Sequence, residues 1–335
     1  MQNQKTYDEF LKSKIKVSEN FGFNLDIDDI NPNLKPHNKL MVKWLVEGGR
    51  RACFASFGLH KTVTQLEAVR CTMEKASLPL GLIVCPLNIK QEFVQDSINI
   101  LGWEKTPKFI RRANEMSGDG IYLTNYESIR DEASVLRGFG GSKTFREFMR
   151  LFTGDAGPMQ IRRGADNIKY RFVATATPSP NDYIELLAYA DFLGIMDISQ
   201  AKTRFFKRDS TKADKLTLHA HKEEEFWLWV SSWALFVNKP SDITGNPADD
   251  EGYILPELDL RWHEIPTDHV EITVEKNGQL QMFKTEALGL EQSAKEKRLS
   301  LGSRIKKMLE LRAEDPAAHR IIWHDLEDER HAIDK

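Results

Sequence analysis

Cysteine is scarce: the 335 residues hold three, Cys53, Cys71 and Cys85, an odd and scattered set. Two of them lie in apolar runs that read as strands, so reduced thiols packed in a core are expected, in a reducing compartment. No Cys/His spacing of the zinc type occurs. Long hydrophobic runs are lacking too. The longest apolar stretch, Phe226 to Val237, is about half of the roughly 20 residues a membrane helix needs, and Ser231 and Ser232 break it. No membrane attachment is expected. The opening MQNQKTYDEF lacks the basic-then-apolar pattern of a secretory signal, so a cytoplasmic location is expected. Neither sign of charge is in excess: 47 basic against 50 acidic residues give a net charge of −3. That excludes an all-over basic coat and leaves room for a locally basic channel. Internal repeats and low-complexity tracts are absent.

What remains is an ordinary globular composition, 41% hydrophobic and 29% charged. The length suits about two domains at roughly 150 residues each, enough for a core without disulfide or metal staples. Residues 1–33 read as a polar lead-in. From Leu34 the pattern is regular: helical spacing at Lys39–Glu47, a short apolar run at Arg51–Ser56, and a helix at Val63–Lys75. Leu80–Cys85 (LGLIVC) is near-continuously apolar and ends at Pro86, the mark of a strand buried on both faces. An amphipathic segment follows at Lys90–Leu101, then strands at Phe109–Arg111, Ile121–Thr124 and Tyr170–Ala176. This alternation predicts a parallel sheet covered by helices on both faces. An aromatic-rich helical insertion is expected at about 182–240, with helices at Asp182–Leu193 and Glu223–Phe236. A Gly/Pro/Asp-rich linker spans 241–256. In 257–335, strands are expected at Leu258–Ile265 and Arg320–Trp323, with a charged helix between them.

The segment ASFGLHKT, Ala55 to Thr62, lies between an expected strand and an expected helix, where a phosphate-binding loop belongs. Backbone N–H groups at the helix start would cradle phosphate oxygens, Lys61 would reach the terminal phosphates, and the Thr62 hydroxyl would ligate Mg²⁺. The usual pattern is G-x-x-x-x-G-K-[ST]; here Ala55 replaces the first glycine and His60 the second. A side chain at that second position costs steric room against phosphate, while an imidazole would add a polar contact. Both readings stand. The plainer alternative is a solvent-facing Lys-Thr at a helix start.

The loop has company in a fixed order. LKPHN (Leu34–Asn38) precedes it, and LIVCPLNIKQEF (Leu82–Phe93), LTNYE (Leu123–Glu127), DEAS (Asp131–Ser134) and ATATPSPN (Ala174–Asn181) follow. The series resembles the Swi/Snf-like branch of superfamily-two helicases and translocases, within the DEAD/DEAH-box group, over Leu34 to Pro240 closely and more faintly beyond. It is most similar to phage or mobile-element helicases found with DNA methylases.

The resemblance implies an α/β fold, a RecA-like parallel sheet sandwiched by helices of the P-loop NTPase type, with a truncated second α/β lobe at 257–335. It implies an ATPase that hydrolyses ATP with Mg²⁺ to move on or remodel DNA, with RNA left open, in a bacterial or phage-infected cytoplasm. A DNA methylase or another protein would be its partner. Asn38 would read adenine, and Gly58, Leu59, His60, Lys61 and Thr62 would hold the phosphates, Lys61 catalytically. Asp131 would share the metal with Thr62, and Glu132 would orient or deprotonate the attacking water. Thr175 and Thr177 would couple nucleotide state to strand movement. Pro86, Leu87 and Lys90, with Thr124, Asn125 and Tyr126, would touch the nucleic-acid backbone, contacts that carry little sequence information. Plainer readings exist for some of these: DEAS as an acidic helix cap, and the Thr-Pro strand exit without a coupling role. The basic run Arg204, Lys207, Arg208, Lys212 and Lys215 reads either as a nucleic-acid contact or as a solvated loop around a buried Phe205–Phe206 pair. Trp227, Trp229 and Trp233 read as core.

Departures from the family pattern carry expectations of their own. Asn38 is one methylene shorter than the family's glutamine. Only Ser128, Ile129 and Arg130 separate Glu127 from Asp131, whereas a parallel crossover takes about a dozen residues or more. Either the sheet lacks a strand, or DEAS is reached by another route. The second lobe would begin near Leu255 and carry one family-like motif, RIIWHDLEDE. Without an arginine across the cleft, hydrolysis would be slower by about 10³-fold or more. Weak nucleotide binding and poor turnover are therefore expected of this chain. A second reading, from a different class, is a catalytically degenerate DNA-binding or scaffolding module. A small-molecule kinase is disfavoured by TATP and LIVCPL, for which such enzymes have no use.

Overall fold

A computed structural model describes residues 18–129, 168–208, 216–254, 256–265 and 290–334. The chain divides into two units, one ending at Leu255 and one beginning at Pro256. No helix among the described residues is long and apolar enough to cross a membrane.

In the first unit, strand β1 (Arg50–Ala55) is the hub. Its neighbours are β5 (Arg171–Thr175) and β8 (Ala234–Val237), both parallel to it. A second parallel sheet places β4 (Gly120–Asn125) between β2 (Leu80–Cys85) and the two-residue β3 (Lys108–Phe109). A short antiparallel pair, β6 (Phe206–Arg208) and β7 (Leu216–Leu218), stands apart. No strand among the described residues joins the two larger sheets. The DEAS segment, Asp131 and Glu132 included, lies outside the described residues.

Alternation along β1 explains why its run is apolar throughout. Cys53 and Ala55 enter one core and Ala52 and Phe54 the other, so both faces are covered. The first core is aliphatic. Helices α1 (Pro36–Gly48), α2 (Lys61–Lys75) and α3 (Lys90–Asn99) supply Met41, Leu45, Val63, Leu66 and Phe93 to it. Ile83 and Cys85 of β2 and Leu123 of β4 join the same cluster. Proline at the start of α1 has a backbone angle already suited to a helix. Gly49 ends that helix in the left-handed region (φ 70°), its N–H donating to the Leu45 carbonyl. The one-turn helix α4 (Tyr126–Ile129) follows β4. The second core is aromatic. Phe205, Phe206, Phe226, Trp229 and Trp233 pack with Leu186, Leu187 and Leu193 from α5 (Leu186–Leu193), α6 (Ile198–Phe205) and α7 (Glu223–Ser231). Phe205 stacks on Trp229 with ring centroids 5.0 Å apart. The parallel sheet covered on both faces is the α/β fold expected of the sequence.

Three segments of the first unit differ from their sequence reading. The helix expected at Glu223–Phe236 stops at Ser231, and Ala234–Val237 becomes β8, because those residues complete the sheet beside β1. The lead-in is structural: Leu25 and Ile30 are fully buried, and the Asn31 N–H donates to the buried Glu67 carboxylate at 2.8 Å. Residues 241–256, expected as a linker, include helix α8 (Ser241–Thr244) and a 3-10 turn at Pro247–Asp250. Buried Asp250 pins that turn, accepting from Lys239 at 2.9 Å and from the Ser241 N–H at 2.8 Å and hydroxyl at 2.7 Å. Its carboxyl is held down at about 2, first by Lys239.

In the second unit the described residues form helices α9 (Leu290–Leu299), α10 (Leu301–Glu314) and α11 (Glu327–Ile333). The Arg304–Glu329 ion pair (2.6 Å) ties α10 to α11. Leu258–Ile265 and Arg320–Trp323, expected as strands, pair with no strand among the described residues. A strand needs a neighbour for its backbone bonds, and here the apolar side chains stay in water: Trp262 is 89% and Trp323 90% exposed.

Candidate nucleotide-binding site

The turn from Ser56 to His60 leaves the C-terminal end of β1, and α2 begins at Lys61. Its root is fixed to the next strand: the Ser56 N–H donates to the Val237 carbonyl at 2.8 Å, and Ser56 Oγ lies 3.2 Å from Asn238 Oδ1. Leu59 drops into the aliphatic core, while Phe57 stands 79% exposed. Gly58 has φ 79°, and a Cβ placed there would meet no atom within 4 Å, so the turn is open on that side. His60 adopts the left-handed conformation (φ 51°, ψ 47°) that glycine takes at no cost. Its departure from the usual glycine is thus one of backbone strain, worth about 1–2 kcal/mol, in a residue that keeps part of its surface in water. Burial and the nearby Lys35 hold that imidazole below its usual pKa.

Lys61 Nζ folds back to donate to the Ser56 carbonyl at 2.8 Å and lies 5.5 Å from the Phe57 ring centroid. Burial lowers its pKa. Thr62 follows, half-buried, on the first turn of α2. The leading N–H groups of a helix lack intrahelical acceptors, and the dipole there favours an anion. The turn therefore combines free amides, an ammonium and a hydroxyl.

Asn38 is buried behind the turn. Its Nδ2 donates both to the Leu59 carbonyl (3.0 Å) and to Thr64 Oγ1 (3.1 Å). A carbonyl only accepts, so the amide orientation is fixed, and both N–H bonds are committed, one to the turn and one to α2. His37, next to it, is buried with no hydrogen-bond partner for Nε2. Burial drives its pKa down to about 4.

Strand register gathers other predicted residues at this edge. Thr175 is paired with Phe54, just short of the turn. The Thr177 N–H donates to Thr175 Oγ1 at 3.2 Å, closing a tight exit from β5. A second edge forms where Cys85 pairs with Asn125. There Pro86, Leu87 and Tyr126 are exposed, and Lys90 Nζ lies 4.8 Å over the Phe109 ring. Thr124 and Asn125, expected to touch nucleic acid, are buried instead, because β4 is the middle strand of its sheet. Thr124 Oγ1 has no hydrogen-bond partner; Asn125 donates to Glu127 at 2.7 Å and accepts from Ser128. In the basic run, Arg204 pairs with Glu225 at 2.6 Å, and Phe205 and Phe206 are core residues. Lys207 and Arg208 remain exposed on β6, while Lys212 and Lys215 lie outside the described residues.

Sequence reasoning missed Ser56, Asn238 and Tyr253. Asn238 directly follows β8 and was hidden by reading helix through Phe236. Tyr253 sits in the segment expected as a linker, yet its ring is edge-on to His37 (5.2 Å) and to His60 (6.5 Å).

No family model matches the chain, and no curated protein matches it. Among solved structures, it is similar to the Sulfolobus solfataricus SWI2/SNF2 ATPase core in complex with dsDNA: 17% identity and a TM-score of 0.47, over 68% of this chain and 49% of that one. The Sulfolobus solfataricus SWI2/SNF2 ATPase core domain gives 18% identity and a TM-score of 0.45, over 64% and 45%. The chain spans about half the length of these structures.

Proposed function

We propose that the first unit binds ATP in the turn from Ser56 to Thr62 and is the motor lobe of a nucleic-acid-dependent ATPase, a helicase or DNA translocase of the Swi/Snf-like, DEAD/DEAH-box type found in phage or mobile elements. The observation that carries this reading is Lys61: an ammonium at the mouth of a parallel strand, bonded to the Ser56 carbonyl beside an open glycine turn and unpaired helix amides. A triphosphate oxygen would replace that carbonyl, and the amides would cradle the phosphates.

In this reading Lys61 neutralises charge that builds on the terminal phosphate, and Glu132 orients the attacking water. The Thr62 hydroxyl, a hard oxygen donor on the first helical turn, suits Mg²⁺ with Asp131 as the second protein ligand. When bound, that ion would neutralise charge on the phosphate oxygens. Thr175 and Thr177 sense the terminal phosphate from the neighbouring strand. DNA runs past Pro86, Leu87, Lys90 and Tyr126, with Thr124 and Asn125 shaping that edge from beneath. A DNA methylase is the partner this reading suggests.

The test is phosphate release from ATP with and without duplex or single-stranded DNA, on the chain and on Lys61→Ala. DNA-stimulated release that the substitution abolishes supports the reading. Release that persists in Lys61→Ala, or nucleotide binding with no dependence on Lys61, overturns it.

A further inference from the structure

The aromatic core of the first unit does not close over all of its rings. Tyr183 packs edge-on against Trp227 with ring centroids 5.0 Å apart, and Trp227 in turn meets Phe236 at 6.3 Å. Phe236 touches Phe54 at 5.1 Å, and Phe54 touches Tyr189 at 5.4 Å. Of this row only Phe54 is buried. Trp227 and Tyr189 are half-buried, Phe236 is 42% exposed and Tyr183 47%. Single exposed rings are ordinary, but a contiguous strip of them marks a surface that meets a partner, and aromatic side chains dominate such contacts.

The strip is held from behind. Phe54 and Phe236 are register partners on β1 and β8. Tyr183 opens a 3-10 turn (Tyr183–Glu185) that Asp182 caps, its carboxylate accepting from the Ile184 N–H at 3.2 Å. The exposed rings are in water as they stand, so a ligand reaches them without any side chain moving aside.

Carboxylates rim the strip. Asp182 precedes Tyr183 and Glu185 follows it; burial and then the Glu185 charge raise the Tyr189 hydroxyl above its usual pKa. Glu223 and Glu224 are exposed on the first turn of α7, on the side toward which the Trp227 ring leans. None of these four acids forms an ion pair among the described residues, because Lys222 and Arg204 are both bonded to Glu225, each at 2.6 Å. A cation is thus attracted here twice, by the carboxylates and by the ring faces.

We propose that this strip is the docking surface for a cationic peptide segment, whose arginine side chains lie on the Tyr183, Trp227 and Phe236 rings between the rim carboxylates. A guanidinium suits both features, since it stacks on aromatic faces and bonds carboxylates through paired N–H groups. Nucleic-acid bases also stack on such rings, but their phosphates would face four acids that no cation offsets. The inference stands apart from the ATP reading and needs neither the phosphate turn nor a bound nucleotide.

The probe is a short labelled peptide of alternating arginine and glycine, titrated onto the full chain by fluorescence anisotropy. The same peptide with glutamate in place of arginine and a labelled oligothymidylate are run beside it. The arginine peptide is expected to bind and the glutamate peptide is not. Tyr183→Ala should weaken binding about fivefold, the scale of a cation seated on an exposed ring, while Tyr183→Phe, which keeps the ring, should bind as wild type. Glu223→Gln combined with Glu224→Gln should weaken it by a similar factor and flatten its salt dependence. Both sites are at the surface, so the urea midpoint of each variant should match wild type and exclude unfolding as the cause. Lys61→Ala should leave peptide binding unchanged. Failure of wild type to bind the arginine peptide overturns the inference. Unchanged affinity in Tyr183→Ala, or in the double glutamine variant, does so too, since it means diffuse attraction to an acidic surface. Oligothymidylate binding that Tyr183→Ala abolishes would reassign the strip to nucleic acid and also overturn it.

Discussion

On the aromatic face of β1, Phe54 packs among Tyr189, Trp233 and Phe236, while Trp229 and Trp233 are fully buried. One residue past the end of the same strand, the turn leaves Phe57 in water, puts His60 in a left-handed conformation and bends Lys61 back onto a carbonyl. The face is packed for stability, and its main departure is that the indole N–H groups of Trp229 and Trp233 lack acceptors. The turn is the reverse: little burial, backbone strain and open space at Gly58. Strain and exposed donors of this kind persist at sites that bind something, because the surrounding structure holds them in place. The strand thus serves as a rigid base that carries a costly loop.

This contrast is broken if a substitution on the face changes ligand binding, or if removing the ammonium of the turn lowers stability. The largest effect is expected on the face: Trp229→Ala should cost about 3–5 kcal/mol of stability by opening a large cavity, measured by urea unfolding. The protein that remains folded should bind ATP as before. In the turn, Lys61→Ala should lower phosphate release by roughly 10²–10³-fold, the cost of losing one preorganised charge-stabilising group. Its unfolding midpoint should stay nearly put, since what is lost is one part-buried bond to the Ser56 carbonyl and the approach to the exposed Phe57 ring.

His37 adds a pH-dependent part to this picture. Its folded pKa of about 4 lies below the ordinary 6.5, so the unfolded chain takes up the proton first as pH falls. The stability it contributes is complete above pH 6.5 and is lost between 6.5 and 4. From pH 7 to pH 5 the loss should be about 2 kcal/mol, and His37→Phe should abolish that part of the slope. Unfolding curves that run parallel for the two proteins at both pH values would contradict this. A smaller effect is expected of His60→Gly, which relieves the left-handed strain and gives back part of the gain as chain entropy; the net should be about 1 kcal/mol of stabilisation by urea midpoint. Trp323→Ala in the second unit should lie within about 0.5 kcal/mol of wild type, because that ring is already exposed.

What could be read from sequence follows the same division. β1 and β2 were legible because burial on both faces forces an unbroken apolar run, and α1 to α3 because one face of each repeats at helical spacing. β8 was not, since Trp227 to Phe236 is apolar on both sides of Ser231 and Ser232 and only the sheet decides where helix gives way to strand. Arg320–Trp323 shows the converse: RIIW has strand composition and no partner strand among the described residues. At the site, the Gly58–Thr62 turn was legible from its position between strand and helix. The committed amide of Asn38, the orphaned Nε2 of His37 and the approach of Tyr253 were not, because each depends on contacts between residues 21 to more than 200 positions apart. Thr124 and Asn125 were placed on a surface by motif alone, and the middle position of β4 buries them.

Whether the Ser56–Thr62 turn receives a triphosphate is decided by a crystal structure with a non-hydrolysable ATP analogue and Mg²⁺. Lys61 Nζ should be released from the Ser56 carbonyl and bonded to the β- and γ-phosphates, with the leading amides of α2 on the same oxygens. An analogue bound elsewhere, with Lys61 still on Ser56, would contradict it.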